Sequence, residues 1–115
     1  TAVAAALEKG DAAAEITAAA MNPSQDPAAV LALREFVSLY GAQAGNWALY
    51  TLPHSGLFIA GGIAPRILEY LQDGTFLAAF HAKGKMTDLM HRFPVHVITH
   101  PQPGLLGALN LAWQH

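Results

Sequence analysis

Cysteine is absent from this sequence of 115 residues, which excludes disulfide bonds and thiolate metal sites. Charge is also scarce, since 12% of the residues are charged where a soluble domain usually has about 25%. Hydrophobic residues make up 53% of the chain, so we expect a compact globular segment with some apolar surface covered by something outside it. The lack of cysteine is compatible with the cytoplasmic location that we predict.

The sequence disfavours two classes of binding partner, nucleic acids and membranes. The net charge is −2 and the six lysines and arginines are scattered, so we predict no nucleic-acid partner. No apolar run approaches the ~18 residues of a membrane helix, so we predict no membrane partner either. The chain begins at Thr1 and shows no signal-peptide pattern, and we expect it to be a piece of a longer polypeptide.

Alanine dominates the beginning of the chain. Residues 1–25 are predicted as an alanine-rich helical segment. Lys9-Gly10-Asp11 interrupts it with a helix stop and an N-cap, which predicts two short helices followed by a loop at residues 21–25. Residues 26–115 are predicted to form one domain fragment.

A long helix is predicted from Asp26-Pro27 to about Leu52, because Asp is a good N-cap and Pro suits the first helical position. Gly41 and Gly45 lie on a face other than the apolar stripe, and each costs about 1 kcal/mol relative to alanine. Their presence indicates that something approaches the helix backbone closely there, and simple tight helix packing is the alternative. The apolar stripe consists of Val30, Leu33, Val37, Tyr40, Ala44 and Trp47.

Two short apolar runs, at residues 57–60 and 95–99, predict strands. The first strand is expected to be buried on both faces. A strand, a helical connection and a second strand predict a parallel pair with a right-handed crossover, so the class is α/β. Two strands do not make a stable sheet, and other strands are expected from outside the chain. The remaining predicted helices cover residues 65–71, 75–82, 86–91 and 105–113.

Gly61-Gly62 follows the first predicted strand. Such glycines allow a backbone to approach a ligand closely, and a helix N-terminus beginning near Pro65 would offer free N–H groups to a phosphate. A purely structural turn is the alternative. Neither a P-loop nor a Gly-x-Gly-x-x-Gly pattern is present, so those two nucleotide-binding mechanisms are disfavoured.

The sequence contains six histidines, which raises the question of a metal site. His91, His96 and His100 are the best placed, but strand side chains alternate in direction and no carboxylate or cysteine stands at ligand spacing. We therefore predict no metal site. The acidic residues show no inward-facing pair and are interpreted as solvated.

Residues 40–49, 58–66 and 100–108 resemble, in that order, the C-terminal third of bacterial-type glucokinases. The resemblance covers the chain from Asp26 onward. This family belongs to the superfamily of sugar kinases, Hsp70 and actin, whose two ribonuclease-H-like lobes hold ATP between them. The resemblance implies that the chain is a helix-rich part of one such lobe.

The resemblance also implies site residues. Gly61, Gly62 and Ile63 are expected near the adenine, ribose or α-phosphate of ATP. Arg66 is interpreted as a solvated first-turn residue rather than a phosphate ligand, because a cation opposes the dipole at a helix start. Asn46 either bonds a neighbouring loop across the groove or is a satisfied helix residue beside Trp47.

The implied activity is ATP-dependent phosphorylation of glucose to glucose 6-phosphate. The phosphate-binding Asp-Gly-Gly-Thr-like loop, the base aspartate and the sugar-binding Glu and His have no counterpart here, so no catalytic residue is assigned and the chain alone is predicted to be inactive. Mg²⁺ is expected to be bound mainly by other parts of the parent. The expected partners are the remainder of the kinase with its N-terminal lobe, glucose and ATP, and a homodimer is a further expectation. Another hexose kinase, or a non-catalytic nucleotide- or partner-binding module, is the alternative.

Overall fold

The computed structural model describes residues 12–22 and 26–114. The first of the two predicted short helices and residues 23–25 of the predicted loop lie outside these ranges. The second short helix is confirmed as α1 (Ala12–Met21).

The long helix is confirmed as α2 (Pro27–Thr51), which has 25 residues. At its start, the Asp26 carboxylate accepts a hydrogen bond from the Ala28 N–H at 3.0 Å. At its end, Leu52 adopts a left-handed conformation with φ 51°, and its N–H donates to the Ala48 carbonyl at 2.8 Å. Both ends are thus fixed by local capping groups.

Two strands, β1 (Leu57–Ile59) and β2 (Val95–Val97), form a parallel pair in which Phe58 lies opposite His96. The prediction of a helix-rich α/β chain with a parallel strand pair is therefore confirmed. Short helical segments connect the strands, and a last helix follows them. These segments are a 3₁₀ helix (Ala64–Ile67), α3 (Leu68–Gln72), α4 (Thr75–His81), a 3₁₀ helix (Gly84–Met86), α5 (Thr87–Met90) and α6 (Pro103–Gln114).

The face of α2 that carries its two glycines packs against α4. A Cβ on Gly41 would overlap the Phe76 carbonyl oxygen, and a Cβ on Gly45 would lie 2.6 Å from the Phe80 carbonyl oxygen. Tight helix packing thus accounts for both glycines. The predicted apolar stripe is wrong at Trp47, which is 56% exposed, because the buried face turns toward the glycines that let α4 approach. The buried α2 residues are Ala29, Leu33, Val37, Gly41, Ala44, Gly45 and Ala48.

The core lies between α2 and the helical connection, and its largest fully buried side chains include Phe76, Phe80 and Ile67. The end of α1 joins this core. Ala20 is buried, and the Tyr70 hydroxyl donates to the Ala20 carbonyl at 3.1 Å. The alanine-rich helix is thereby fixed beside α2 and α3.

The sheet has one covered and one open face. Ile59 is buried, whereas Phe58 is 60% exposed and stacks on His96 with ring centroids 5.1 Å apart. The prediction that the first strand is buried on both faces is therefore wrong for this chain, because the described helices cover one side only. Helix α6 has no buried residue, and Trp113 near its end is 90% exposed.

Candidate functional site

The turn after β1 carries the three predicted site residues. Gly61 has φ +115°, a conformation that favours glycine, while the φ of Gly62 lies outside the left-handed region. A Cβ added to either glycine would meet no heavy atom of the described structure within 4 Å. The backbone at Gly61 and Gly62 is thus open to an approaching molecule, and Ile63 beside it is 57% exposed.

The segment that follows fixes this turn to the core. Ala64 and Ile67 are buried, with 1% and 0% exposure, and the Arg66 N–H donates to the Ile63 carbonyl at 3.0 Å. The single helix predicted for residues 65–71 is instead a short 3₁₀ helix followed by α3, because Ile67 has φ −112° and ψ 24° and breaks the helical geometry. A helix of four residues aligns few peptide dipoles, so the N-terminus of this segment attracts a phosphate less strongly than the longer predicted helix would.

An open cleft of about 670 Å³ lies beside the turn, between α1, α2 and the first 3₁₀ helix. Apolar side chains supply most of its walls. Arg66 is the one charged side chain among the described residues that line it. The lining includes Ile16, Met21, Leu33, Phe36, Ile63 and Arg66. The cleft can therefore accept a flat apolar group next to a cation.

Arg66 is exposed, and within residues 12–22 and 26–114 no carboxylate forms an ion pair with it. It lies in a 3₁₀ helix of four residues, which aligns few peptide dipoles that could act on the side chain. The side chain is thus an unpaired cation at the edge of an apolar surface. The sequence did not predict its place in the cleft.

Asn46 bonds a neighbouring loop, which is the first of its two predicted alternatives. The Lys83 Nζ donates to Asn46 Oδ1 at 2.7 Å and to the Ala42 carbonyl at 3.0 Å. The lysine stem crosses α2 at Gly45, where a Cβ would lie 2.6 Å from Lys83 Cε. This network ties the α4–α5 connection to α2 and is a structural feature.

The histidines are engaged in separate contacts. His81 and His91 stack with ring centroids 3.8 Å apart, and His100 Nδ1 accepts from the Gln102 N–H at 3.0 Å. Burial, and secondarily the charge of His91, lowers the pKa of His81 below its ordinary value. Among the described residues, no three His, Cys, Asp or Glu side chains are grouped so that they could hold a metal ion. No helix in the same part of the chain is long and apolar enough to cross a membrane.

Helix α1 contributes more to the cleft than its composition suggested. Ile16 and Met21 are the large apolar residues of an otherwise alanine-rich helix, and both line the cleft. The sequence shows only that these two apolar residues are five positions apart, and this does not reveal which element α1 packs against. The position of the turn directly after a strand was predictable from the sequence, but the helices that face the turn were not.

Comparison with known proteins matches residues 1–115 to the protein family described as Glucokinase. Among the curated relatives is a glucokinase of Trichormus variabilis, 51% identical over 76 residues, which are 66% of this chain and 22% of the relative. A glucokinase of Synechocystis sp. is 44% identical over 104 residues, which are 90% of this chain and 29% of the relative. A glucokinase of Yersinia pestis is 48% identical over 77 residues, which are 67% of this chain and 24% of the relative. The matches lie in the C-terminal part of the relatives.

Proposed function

This chain belongs to the glucokinase family, and from that membership we propose that its parent protein transfers the γ-phosphoryl group of ATP to glucose, giving glucose 6-phosphate and ADP. The family match over residues 1–115 is the observation that carries this proposal. The chain spans about a quarter of the length of the curated relatives it matches, between 22% and 29% in the cases above. The activity therefore belongs to the longer protein.

We further propose that this chain supplies the adenosine side of the ATP site, with Gly61, Gly62 and Ile63 against the nucleotide. Three observations support the assignment. The glycine backbone is open, Ile63 lines the cleft, and the cleft volume of about 670 Å³ is within the range of small-molecule sites. An adenine ring is flat and has two apolar faces, which suits walls such as Leu33 and Phe36.

The catalytic machinery is proposed to lie outside this chain. Phosphoryl transfer requires a positioned acceptor hydroxyl, a base and a metal ion that bridges phosphates. The family resemblance implies a phosphate-binding loop and a base aspartate that have no counterpart in this sequence, so we assign the main Mg²⁺ ligands and the sugar-binding residues to the rest of the parent. This chain would form one wall of a site that is completed between two lobes.

The uncovered surfaces are proposed to face the remainder of the kinase chain. Helix α6 exposes Leu105, Leu109 and Trp113, and the outer sheet face exposes Phe58. Burying such apolar surface against the N-terminal lobe would be favourable. We assign the chain to part of a ribonuclease-H-like lobe with a right-handed crossover, and a cytoplasmic location and a possible homodimer remain predictions.

The full-length protein tests this proposal. A coupled assay with ATP and glucose should show turnover, and glucose should be preferred to other hexoses. Photolabelling with 2-azido-ATP should then modify a peptide that contains Ile63 or a residue of α2 facing it. Turnover of another hexose alone would indicate a different sugar kinase, and absence of any sugar phosphorylation would leave a nucleotide- or partner-binding module.

A further inference from the structure

Arg66 and Ile63 share one side of the 3₁₀ segment. They are three positions apart in the sequence, and in a 3₁₀ helix the side chains at positions i and i+3 lie one above the other. Both side chains are exposed and both line the cleft, to which the buried Ile67 also contributes, while Ala64 turns into the core. The segment therefore presents an apolar group and a guanidinium to the same space.

The guanidinium differs in kind from every other group that lines the described cleft. It is planar and weakly hydrated, and it stacks on aromatic faces more readily than an ammonium group does. No carboxylate among the described residues neutralises it. A cation kept beside an apolar slot without a counter-ion suits a ligand with an electron-rich flat surface.

We propose that Arg66 stacks its guanidinium on the purine ring of the nucleotide, and thus positions the base in the cleft against Ile63. The inference rests on the proposed adenosine site and adds to it a residue that binds the base rather than a phosphate. It predicts that Arg66 contributes equally to the binding of ATP and of adenosine, which lacks phosphates. A phosphate contact would contribute to ATP binding only.

The experiment uses the full-length kinase and measures binding of adenosine and of ATP by calorimetry, without sugar. Arg66→Ala should weaken both ligands by the same factor, roughly 3- to 30-fold for a lost cation–π contact. Arg66→Lys should weaken both by less, since the charge is kept and the planar stack is lost. Arg92→Ala is the matched control, because Arg92 is exposed and does not line the cleft, and it should bind both ligands like the wild type.

Two results would overturn the inference. If Arg66→Ala weakened ATP binding and left adenosine binding unchanged, Arg66 would be a phosphate contact. If neither ligand were affected in a variant with a wild-type thermal melt, Arg66 would be a solvated residue. Photolabelling with 2-azido-ATP tests the proposed adenosine site independently of Arg66. A label in the cleft would support the site whatever the role of Arg66, whereas a label far from the cleft would contradict the site itself.

Discussion

Gly41→Ala should destabilise this chain although alanine is the better helix former. Alanine gains about 1 kcal/mol over glycine in a helix interior. The new methyl group, however, would meet the carbonyl oxygen, the carbonyl carbon and the Cα of Phe76, with the last two at 3.1 Å. These are backbone atoms, so relief requires α4 to move, and overpacking of this kind costs about 1–3 kcal/mol.

Phe76 and Phe80 on α4 are 2% and 0% exposed, so a shift of α4 would also loosen the largest side chains of the core. We therefore expect an overpacking cost near the upper end of that range, about 3 kcal/mol. After the gain of about 1 kcal/mol in helix propensity, the free energy of unfolding should fall by about 2 kcal/mol, which is roughly 8 °C in the thermal midpoint. Circular dichroism melts of the chain of residues 1–115 would measure it. A midpoint at or above that of the wild type would show that α4 accommodates the methyl group without loss of stability.

Gly107→Ala is the matched control for this substitution. Gly107 lies inside α6, and a Cβ there would meet no heavy atom of the described structure within 4 Å. The helix-propensity gain is then unopposed, and a stabilisation of up to about 1 kcal/mol is expected. The same chemical change should thus have opposite signs at two glycines of one chain.

Three further predictions concern the chain as a whole. Purified chain of residues 1–115 should show no ATP-dependent glucose phosphorylation in a coupled assay, and turnover above the blank would contradict the assignment of the base and the sugar site to other parts of the parent. The chain should self-associate or bind a hydrophobic dye, because α6 and Phe58 expose apolar surface; monomeric behaviour at high concentration without dye binding would count against it. Burial, and secondarily His91, lowers the pKa of His81 in the folded chain below its ordinary value of about 6.5. As the pH falls below about 6.5, the unfolded chain therefore binds more protons than the folded chain. The free energy of unfolding should decrease in this range. His81→Asn should flatten that decrease in denaturant titrations across this pH range, and an unchanged slope would show that His81 is not its source.

The features that follow from local chemistry were predictable from the sequence. The predicted bounds of α2, from Asp26-Pro27 to about Leu52, agree with the structure within a residue, because capping groups act on neighbouring peptides. The parallel strand pair followed from the order strand, helices, strand. The same holds for the position of Gly61-Gly62 directly after β1.

The features that depend on tertiary contacts were not predictable. The buried face of α2 is set by the approach of α4 to Gly41 and Gly45, and this leaves Trp47 outside. The cleft exists because Tyr70 and the buried Ala20 hold α1 beside α2. Neither contact produces a periodic pattern in the sequence. The turn of the candidate site could therefore be predicted, but the helices that line the cleft beside it could not.

We propose that the turn at Gly61-Gly62 faces the nucleotide, and Gly62→Val in the full-length kinase would test this placement. The added side chain would enter open space in this chain, and the φ of Gly62 is not left-handed, so the variant should fold, which thermal melts would verify. In steady-state kinetics we expect the KM for ATP to rise about tenfold or more, which corresponds to a loss of about 1.4 kcal/mol of binding, with the KM for glucose little changed. An unchanged KM for ATP in the folded variant would contradict contact between this turn and the nucleotide and would leave the glycines with a purely structural role. A rise in the KM for glucose alone would place this chain on the sugar side instead.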